Sequence, residues 1–178
     1  MHEFIKTYQS ATVPALKGSF TYDSTYAIPK IEKVVINLGI GEAGNNSGTV
    51  DQLAGLVKKI TGQAPIQTKA RIAVSGFKIR QGMIVGLKVT LRGERMYDFL
   101  QKFITVALPR TRDFRGIVPS SITASGSLHV GVKDSMIFPE VAQENITHPM
   151  QVTLVAKTSS QEEARALYES LGFIFQTN

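Results

Sequence analysis

The sequence contains no cysteine and no long hydrophobic run. Without cysteine the protein can form neither disulfides nor thiolate metal sites, and this composition is typical of a reducing cytoplasm. No apolar stretch approaches the ~20 residues of a membrane-spanning helix. The first residues, MHEFIKTYQS, lack the hydrophobic segment of a secretory signal, so we expect none. The three histidines are far apart and have no carboxylates at ligand spacing, so we expect no metal site and no cofactor.

Negative charge is scarce in one third of the chain. The segment from Lys69 to Gly116 holds eleven of the 20 basic residues but only three of the 14 acidic ones. Its net charge is therefore +8, whereas the remainder carries −2. Such clustering attracts polyanions, and we predict a nucleic-acid partner. A membrane surface is also anionic, but no predicted helix has the lysine-rich face that membrane binding favours.

Length and periodicity predict the fold class. The 178 residues, 43% of them hydrophobic, fit one domain over 1–178. Alternating and helical patterns predict about five strands and four helices. Because several strands are apolar on one side only, we predict an α+β fold in which a single sheet has helices packed on one face. The other face would be open and concave, and two loops, 71–82 and 134–149, would project.

Two strands define this predicted open face. In the strands near 31–40 and 83–92, every second residue is apolar, and the intervening positions are mostly polar or charged. A rigid sheet that holds such groups in fixed positions is suited to a sugar-phosphate backbone. The predicted open-face residues are Lys33, Asn37, Lys88, Thr90 and Arg92.

Capping patterns predict where helices begin and end. Thr49 with Gln52 forms a capping box that predicts the start of one helix, and Ser160 with Glu163 predicts the start of the last one. Between them, the helix that follows the second of the two strands is expected to end at Pro109, because proline disfavours helical geometry in the residue before it.

The segment Gly39-Ile-Gly-Glu-Ala-Gly44 opens an alternative function. Gly39, Gly41 and Gly44 satisfy G-x-G-x-x-G, the pattern of a dinucleotide-binding turn, after a strand and before a helix. A nucleotide-cofactor enzyme is therefore the second hypothesis. Against it, no acidic residue follows at the next strand, and no further βαβ units are predicted. No nucleophile and base can be paired from the sequence, so we expect that the protein is not an enzyme.

Phe77 lies between Gly76 and Lys78 in the basic loop, away from any core-facing stripe. It could plug the core, or it could stack on an unpaired base. The predicted open-face strands carry no aromatic residue, which distinguishes them from the aromatic-bearing sheet of an RRM.

Four blocks of the sequence resemble the bacterial large-subunit ribosomal protein five family, whose members carry 5S rRNA. The blocks are KIEKVVINLGIGEA (30–43), GFKIRQGMIVGLKVTLRGERMYDFL (76–100), LPRTRDFRGI (108–117) and EEARALYESLGF (162–173). The chain departs from the family pattern at Arg71-Ile72, where two adjacent basic residues are common, and at Ile84, where a proline is common.

The resemblance implies a function and a set of contacts. It implies a structural protein of the cytoplasmic ribosome that binds 5S rRNA and helps to form the central protuberance. The 5S rRNA contacts would fall on Asn37, Gln63, Phe77 and Thr90, of which two already lie on the predicted open face. Beside these we place Lys33, Lys88 and Arg92.

Other partners follow from the same resemblance. The 71–82 loop, with Arg71, Lys78 and Arg80, would reach P-site tRNA, and the 134–149 excursion would face a protein of the small-subunit head. The 23S rRNA and other 5S-binding ribosomal proteins would be neighbours.

Overall fold

A computed structural model describes residues 4–5, 8–22, 24–41, 46–112, 114–144, 146–158 and 160–176. It contains an open antiparallel sheet together with helices, which confirms the predicted α+β fold. The strands are β1 (Lys30–Gly39), β2 (Ile66–Lys69), β3 (Ile84–Leu91), β4 (Leu128–Val132) and β5 (Met150–Lys157). Their order across the sheet is β2-β3-β1-β5-β4. In the described residues, no helix has the length and apolarity to cross a membrane.

The helices occupy the segments between strands and at both ends of the sequence. The α-helical segments are α1 (Val13–Ser19), α2 (Ser47–Thr61), α3 (Glu94–Lys102), α4 (Leu108–Arg110) and α5 (Gln161–Ser170). The predicted end at Pro109 is wrong, because the chain stays helical through Arg110. A π-helical stretch, Phe103–Ala107, precedes this proline, so the regular α-helical hydrogen-bond pattern, to which proline cannot donate, is already interrupted before it. Pro14 occupies the same position in α1, directly after a π-helical stretch at Tyr8–Thr12.

The chain divides into two compact units, and the boundaries between them fall within strands β1, β4 and β5. The first comprises Met1–Val34, Arg92–Val130 and Thr153–Asn178, and the second comprises Val35–Leu91 and Gly131–Val152.

In the first unit, α5 is tied to strand β5. The Tyr168 hydroxyl donates to the carbonyls of Leu154 and Gly126, at 3.2 and 2.8 Å, and burial raises the pKa of this phenol. The predicted start of α5 is confirmed, since the Ser160 side chain accepts a hydrogen bond from the backbone N–H of Glu163. These contacts fix the helix against one side of the sheet.

In the second unit, α2 packs beside β3 and buries one face of the helix. Leu53, Val57 and Ile60 are almost fully buried, as their helical spacing requires. The predicted capping box at Thr49 is wrong. Asn46 is the N-cap, and its side chain accepts from the backbone N–H of Gly48 at 3.0 Å, so the helix begins two residues before Thr49.

The 134–149 segment is irregular, as expected, but its two ends are pinned together. The buried Ser135 hydroxyl donates to the carbonyl of Ile146 at 3.1 Å and accepts from the backbone N–H of His148 at 3.3 Å. Lys59 of α2 forms an ion pair with Glu144. Within the second unit, the segment is therefore held by polar contacts, one of them to α2, and by the buried side chain of Phe138.

Candidate nucleic-acid interface

Strand β3 separates a core side from a solvent side, as its alternation predicts. Leu87 and Val89 are each 1% exposed, and they lie on the core side. Between and after them, Lys88 is exposed and Thr90 is half-buried. Their side chains therefore point away from the core, to the side that we call the open face.

Strand β1 continues this face in the second unit. Asn37 is exposed, whereas its neighbours Ile36 and Leu38 are buried. The amide of Asn37 is therefore exposed to solvent, on a strand that lies beside β3 in the sheet. An amide offers both donors and an acceptor, which suits it to the mixed polar groups of a nucleic acid.

Strand β2 adds two residues to the open face that sequence reasoning missed. In the antiparallel register, Ile66 lies opposite Lys88, and Thr68 lies opposite Gly86. Directly opposite residues project on the same side of a sheet, so Ile66, which is 73% exposed, and Thr68 both belong to the open face. Four residues are too few for a clear alternation, and only the pairing with β3 identifies their side.

Gly86 lets the strands pack closely on this face. A Cβ atom built on it would lie 2.8 Å from the Leu38 carbonyl oxygen and 2.8 Å from the Thr68 hydroxyl. Both distances are too short for a real side chain, so glycine is required here by close packing, although its φ angle is ordinary.

Gln63 is brought to β3 by the end of helix α2. The helix stops at Gly62, whose φ of 69° is the left-handed conformation favoured by glycine. The backbone N–H of Gln63 then donates to the Thr61 hydroxyl at 3.2 Å, and its side-chain amide donates to the backbone carbonyl of Thr90 at 3.3 Å. The structure thus brings together two residues that the family resemblance had implied as RNA contacts.

In the first unit, the predicted site residues Lys33 and Arg92 surround an acidic residue. Arg92 Nη1 donates to Glu32 Oε1 at 3.0 Å. This hydrogen bond, followed by the charge of Lys33, holds the pKa of the Glu32 carboxyl below its usual value. Glu32 was not among the predicted site residues, because alternation assigns a position to a face but does not show ion pairs.

The basic loop is a short hairpin, which we call the hairpin 71–82. Val74 and Ile79 exchange backbone hydrogen bonds of 2.9 and 3.1 Å, and a 3-10 turn, Ser75–Phe77, closes the end. Phe77 is 70% exposed, which rules out the core-plug hypothesis. Lys78 follows in the left-handed conformation with φ 53°.

The predicted tRNA-contacting residues of this hairpin are exposed. Arg71, Lys78 and Arg80 all lie on the surface, and an open cleft of about 750 Å³ is lined by the last two together with Ala73, Ser75, Ile79 and Met83. Phe77 and Lys78 are neighbours in one turn. The geometry therefore does not separate the residue predicted to contact 5S rRNA from those predicted to contact tRNA.

The sheet topology argues against the nucleotide-cofactor hypothesis. A dinucleotide fingerprint needs a parallel βαβ unit, whereas β2 pairs antiparallel with β3 and the sheet is antiparallel. Gly39 ends β1, and Gly41 has a positive φ of 56°. Gly44 lies outside the described residues. Helix α2 begins only at Ser47, so the glycines do not lead directly into the helix start.

Comparison with known proteins places the chain in one family. Residues 24–80 match the family model for ribosomal protein L5, and residues 84–175 match the model for the C-terminus of the same ribosomal family. The large ribosomal subunit protein uL5 of Carboxydothermus hydrogenoformans is 45% identical over 170 residues, which cover 94% of this chain and 95% of the relative. The protein of the same name from Oceanobacillus iheyensis is 43% identical over 178 residues, covering 99% of each. With both halves matched and relatives aligned over nearly their full length, the chain belongs to the ribosomal protein L5 family.

Proposed function

We propose that this protein is a structural component of the large ribosomal subunit that binds 5S rRNA through the open face of its sheet and helps to form the central protuberance. It works without catalysis, as part of the cytoplasmic translation machinery. Family membership supports the ribosomal role, and the relatives that match it are large-subunit proteins. The open face supports the RNA contact.

The observation that carries the proposal is the Gln63 amide bonded to the backbone of Thr90 on β3. This bond fixes the glutamine beside the backbone of strand β3 at Thr90. Asn37 presents a second amide on β1, the neighbouring strand, and Lys88 adds a positive charge on β3. Hydrogen-bonding groups held by rigid strands recognise the shape and backbone of folded RNA without reading single-stranded bases.

The exposed residues of hairpin 71–82 suit a second RNA. Its cations are solvent-accessible, and Phe77 offers an aromatic surface on which a base could stack. We assign Arg71, Lys78 and Arg80 to P-site tRNA and Phe77 to 5S rRNA. The pinned 134–149 segment would face a protein of the small-subunit head, and 23S rRNA and other 5S-binding proteins would complete the surroundings.

Equilibrium binding to 5S rRNA and to an unrelated RNA of equal length, over a range of salt concentrations, tests the proposal. We expect a clear preference for 5S rRNA. If about five to seven cationic side chains meet phosphates, the logarithm of the binding constant should fall against the logarithm of salt with a slope of roughly −4 to −6. Equal binding of the two RNAs, or a slope near zero, would contradict the proposal. Release of a nucleotide in place of RNA from the purified protein would favour the cofactor hypothesis.

A further inference from the structure

Glu32 is an acidic residue in a basic part of the first unit. Its carboxylate accepts a hydrogen bond from Arg92 at 3.0 Å, and the two side chains are 49% and 56% exposed. Lys33 and Lys157 lie near enough that their charges, with that of Arg92, stabilise the ionised carboxylate and lower its pKa. One carboxylate thus lies near three cations, and two of these, Lys33 and Arg92, are among the residues predicted to contact RNA.

The burial pattern of β1 places Glu32 outside the core. Buried residues in β1 normally alternate, but Ile31 and Val34, both buried, are three positions apart. The alternation therefore slips by one residue, and Glu32 and Lys33 both lie outside the core. Packing does not require the carboxylate, and an exposed ion pair contributes little to folding. We therefore look for the effect of the Glu32 carboxylate in RNA binding.

A carboxylate in this position repels phosphates and accepts hydrogen bonds. An RNA that brings a phosphate to Glu32 meets a like charge, whereas one that brings a ribose 2′-hydroxyl or a base amino group gains a hydrogen bond. The three cations around it attract phosphates regardless of sequence. The combination favours an RNA whose phosphates pass on either side of Glu32 and disfavours other alignments.

We propose that Glu32 is a specificity-determining residue of the RNA-binding surface, which excludes phosphates from its own position and accepts a hydrogen bond from a donor group of the bound RNA. Arg92 holds the carboxylate in place for this purpose. This inference rests on the proposed function. It adds to that function a means of rejecting RNA that the basic residues alone would bind.

Glu32→Gln tests the inference, because glutamine keeps the size of the side chain and removes its charge. Affinity for an unrelated RNA should rise about three- to tenfold, and its salt dependence should steepen by about one unit of slope, since one more phosphate can be accommodated. Affinity for 5S rRNA should change by less than about twofold, because the bound RNA places no phosphate there and the glutamine oxygen can still accept the hydrogen bond. The preference for 5S rRNA would fall accordingly. Equal gains for both RNAs, or no gain for either, would overturn the inference.

Glu169→Gln is the matched control. Glu169 is also 49% exposed and accepts from an arginine, Arg165, at 2.8 Å, but it lies on helix α5. It should leave the preference unchanged, and an equal loss of preference in this variant would show that net charge alone is responsible. Glu32→Asp should retain the rejection of unrelated RNA, and behaviour like that of Glu32→Gln would overturn the role of the charge. If the unmodified protein has no preference for 5S rRNA, the proposed function itself fails. If it has one that Glu32→Gln leaves intact, only this inference fails.

Discussion

The side-chain amide of Gln63 donates a hydrogen bond to the backbone carbonyl of Thr90, with an N–O distance of 3.3 Å. The two residues are 27 positions apart, one just beyond helix α2 and the other on β3. The bond uses one N–H of the amide, so the second N–H and the oxygen can still serve an RNA. The bond thereby ties the residue that follows the helix to the strand that carries Thr90.

Gln63→Ala should weaken 5S rRNA binding by about 1–2 kcal/mol, since the RNA loses hydrogen bonds to an amide that is already positioned. Thermal unfolding should change little, because the residue is only half-buried. Filter binding together with a thermal melt measures both effects. Gln52→Ala, an exposed glutamine on helix α2, is the control and should change neither. Equal losses in the two variants would contradict a specific role for Gln63.

Thr90→Val and Leu87→Ala should separate RNA binding from stability on one strand. Valine has nearly the shape of threonine but lacks its hydroxyl, so Thr90→Val should cost about 1–2 kcal/mol of 5S affinity and little stability. Asn37→Ala should behave in the same way. Leu87 is 1% exposed on the core side, and Leu87→Ala should lower the free energy of unfolding by about 2–5 kcal/mol. Urea unfolding and RNA titration of each variant measure the two effects. If Thr90→Val unfolds the protein and Leu87→Ala does not, the core side and the open face of β3 have been assigned the wrong way round.

Gly86→Ala should destabilise the sheet. The added methyl group would lie 2.8 Å from the backbone oxygen of Leu38, which cannot move without disturbing β1. We expect a loss of about 1–3 kcal/mol in the free energy of unfolding. Gly131→Ala is the control, because this glycine is also in a strand but has no heavy atom within 4 Å of the added carbon. A Gly86→Ala protein as stable as Gly131→Ala would show that β1 and β3 are not packed so closely.

Period and composition predicted the strands and the sides of Asn37 and Thr90, because an alternating pattern allows only one way to bury its apolar residues. They could not predict Ile66 and Thr68 on the open face, since a four-residue strand acquires its side only from its partner. The ends of helices α2 and α4 were misjudged for local reasons. Asn46, and not Thr49, is the N-cap of α2. A π-helical stretch shortly before Pro109 precedes helical residues that continue beyond the proline. The Glu32–Arg92 pair joins residues 60 positions apart in the sequence, which no local pattern reveals.

The hairpin 71–82 should show two separable RNA contacts. Replacing Lys78 and Arg80 together by alanine should leave 5S affinity within about 1 kcal/mol, as is typical of exposed charges at the rim of an interface, and should weaken the retention of P-site tRNA. Lys78 has a left-handed backbone conformation with φ 53°, which is about as unfavourable for alanine as for lysine. The substitution should therefore leave the hairpin intact. Phe77→Ala should instead reduce 5S binding, because a stacking surface is lost.

The double variant requires a control that removes the same charge elsewhere. The double variant Lys17→Ala and Arg95→Ala is this control, since both residues are exposed and lie on helices α1 and α3. Filter binding to isolated 5S rRNA and tRNA retention on ribosomes carrying each variant give the two readouts. Loss of 5S binding with tRNA retention intact in the Lys78 and Arg80 variant would place the entire hairpin on the 5S rRNA and refute its assignment to tRNA. A loss of tRNA retention as large in the control would show that only the net positive charge of the protein matters.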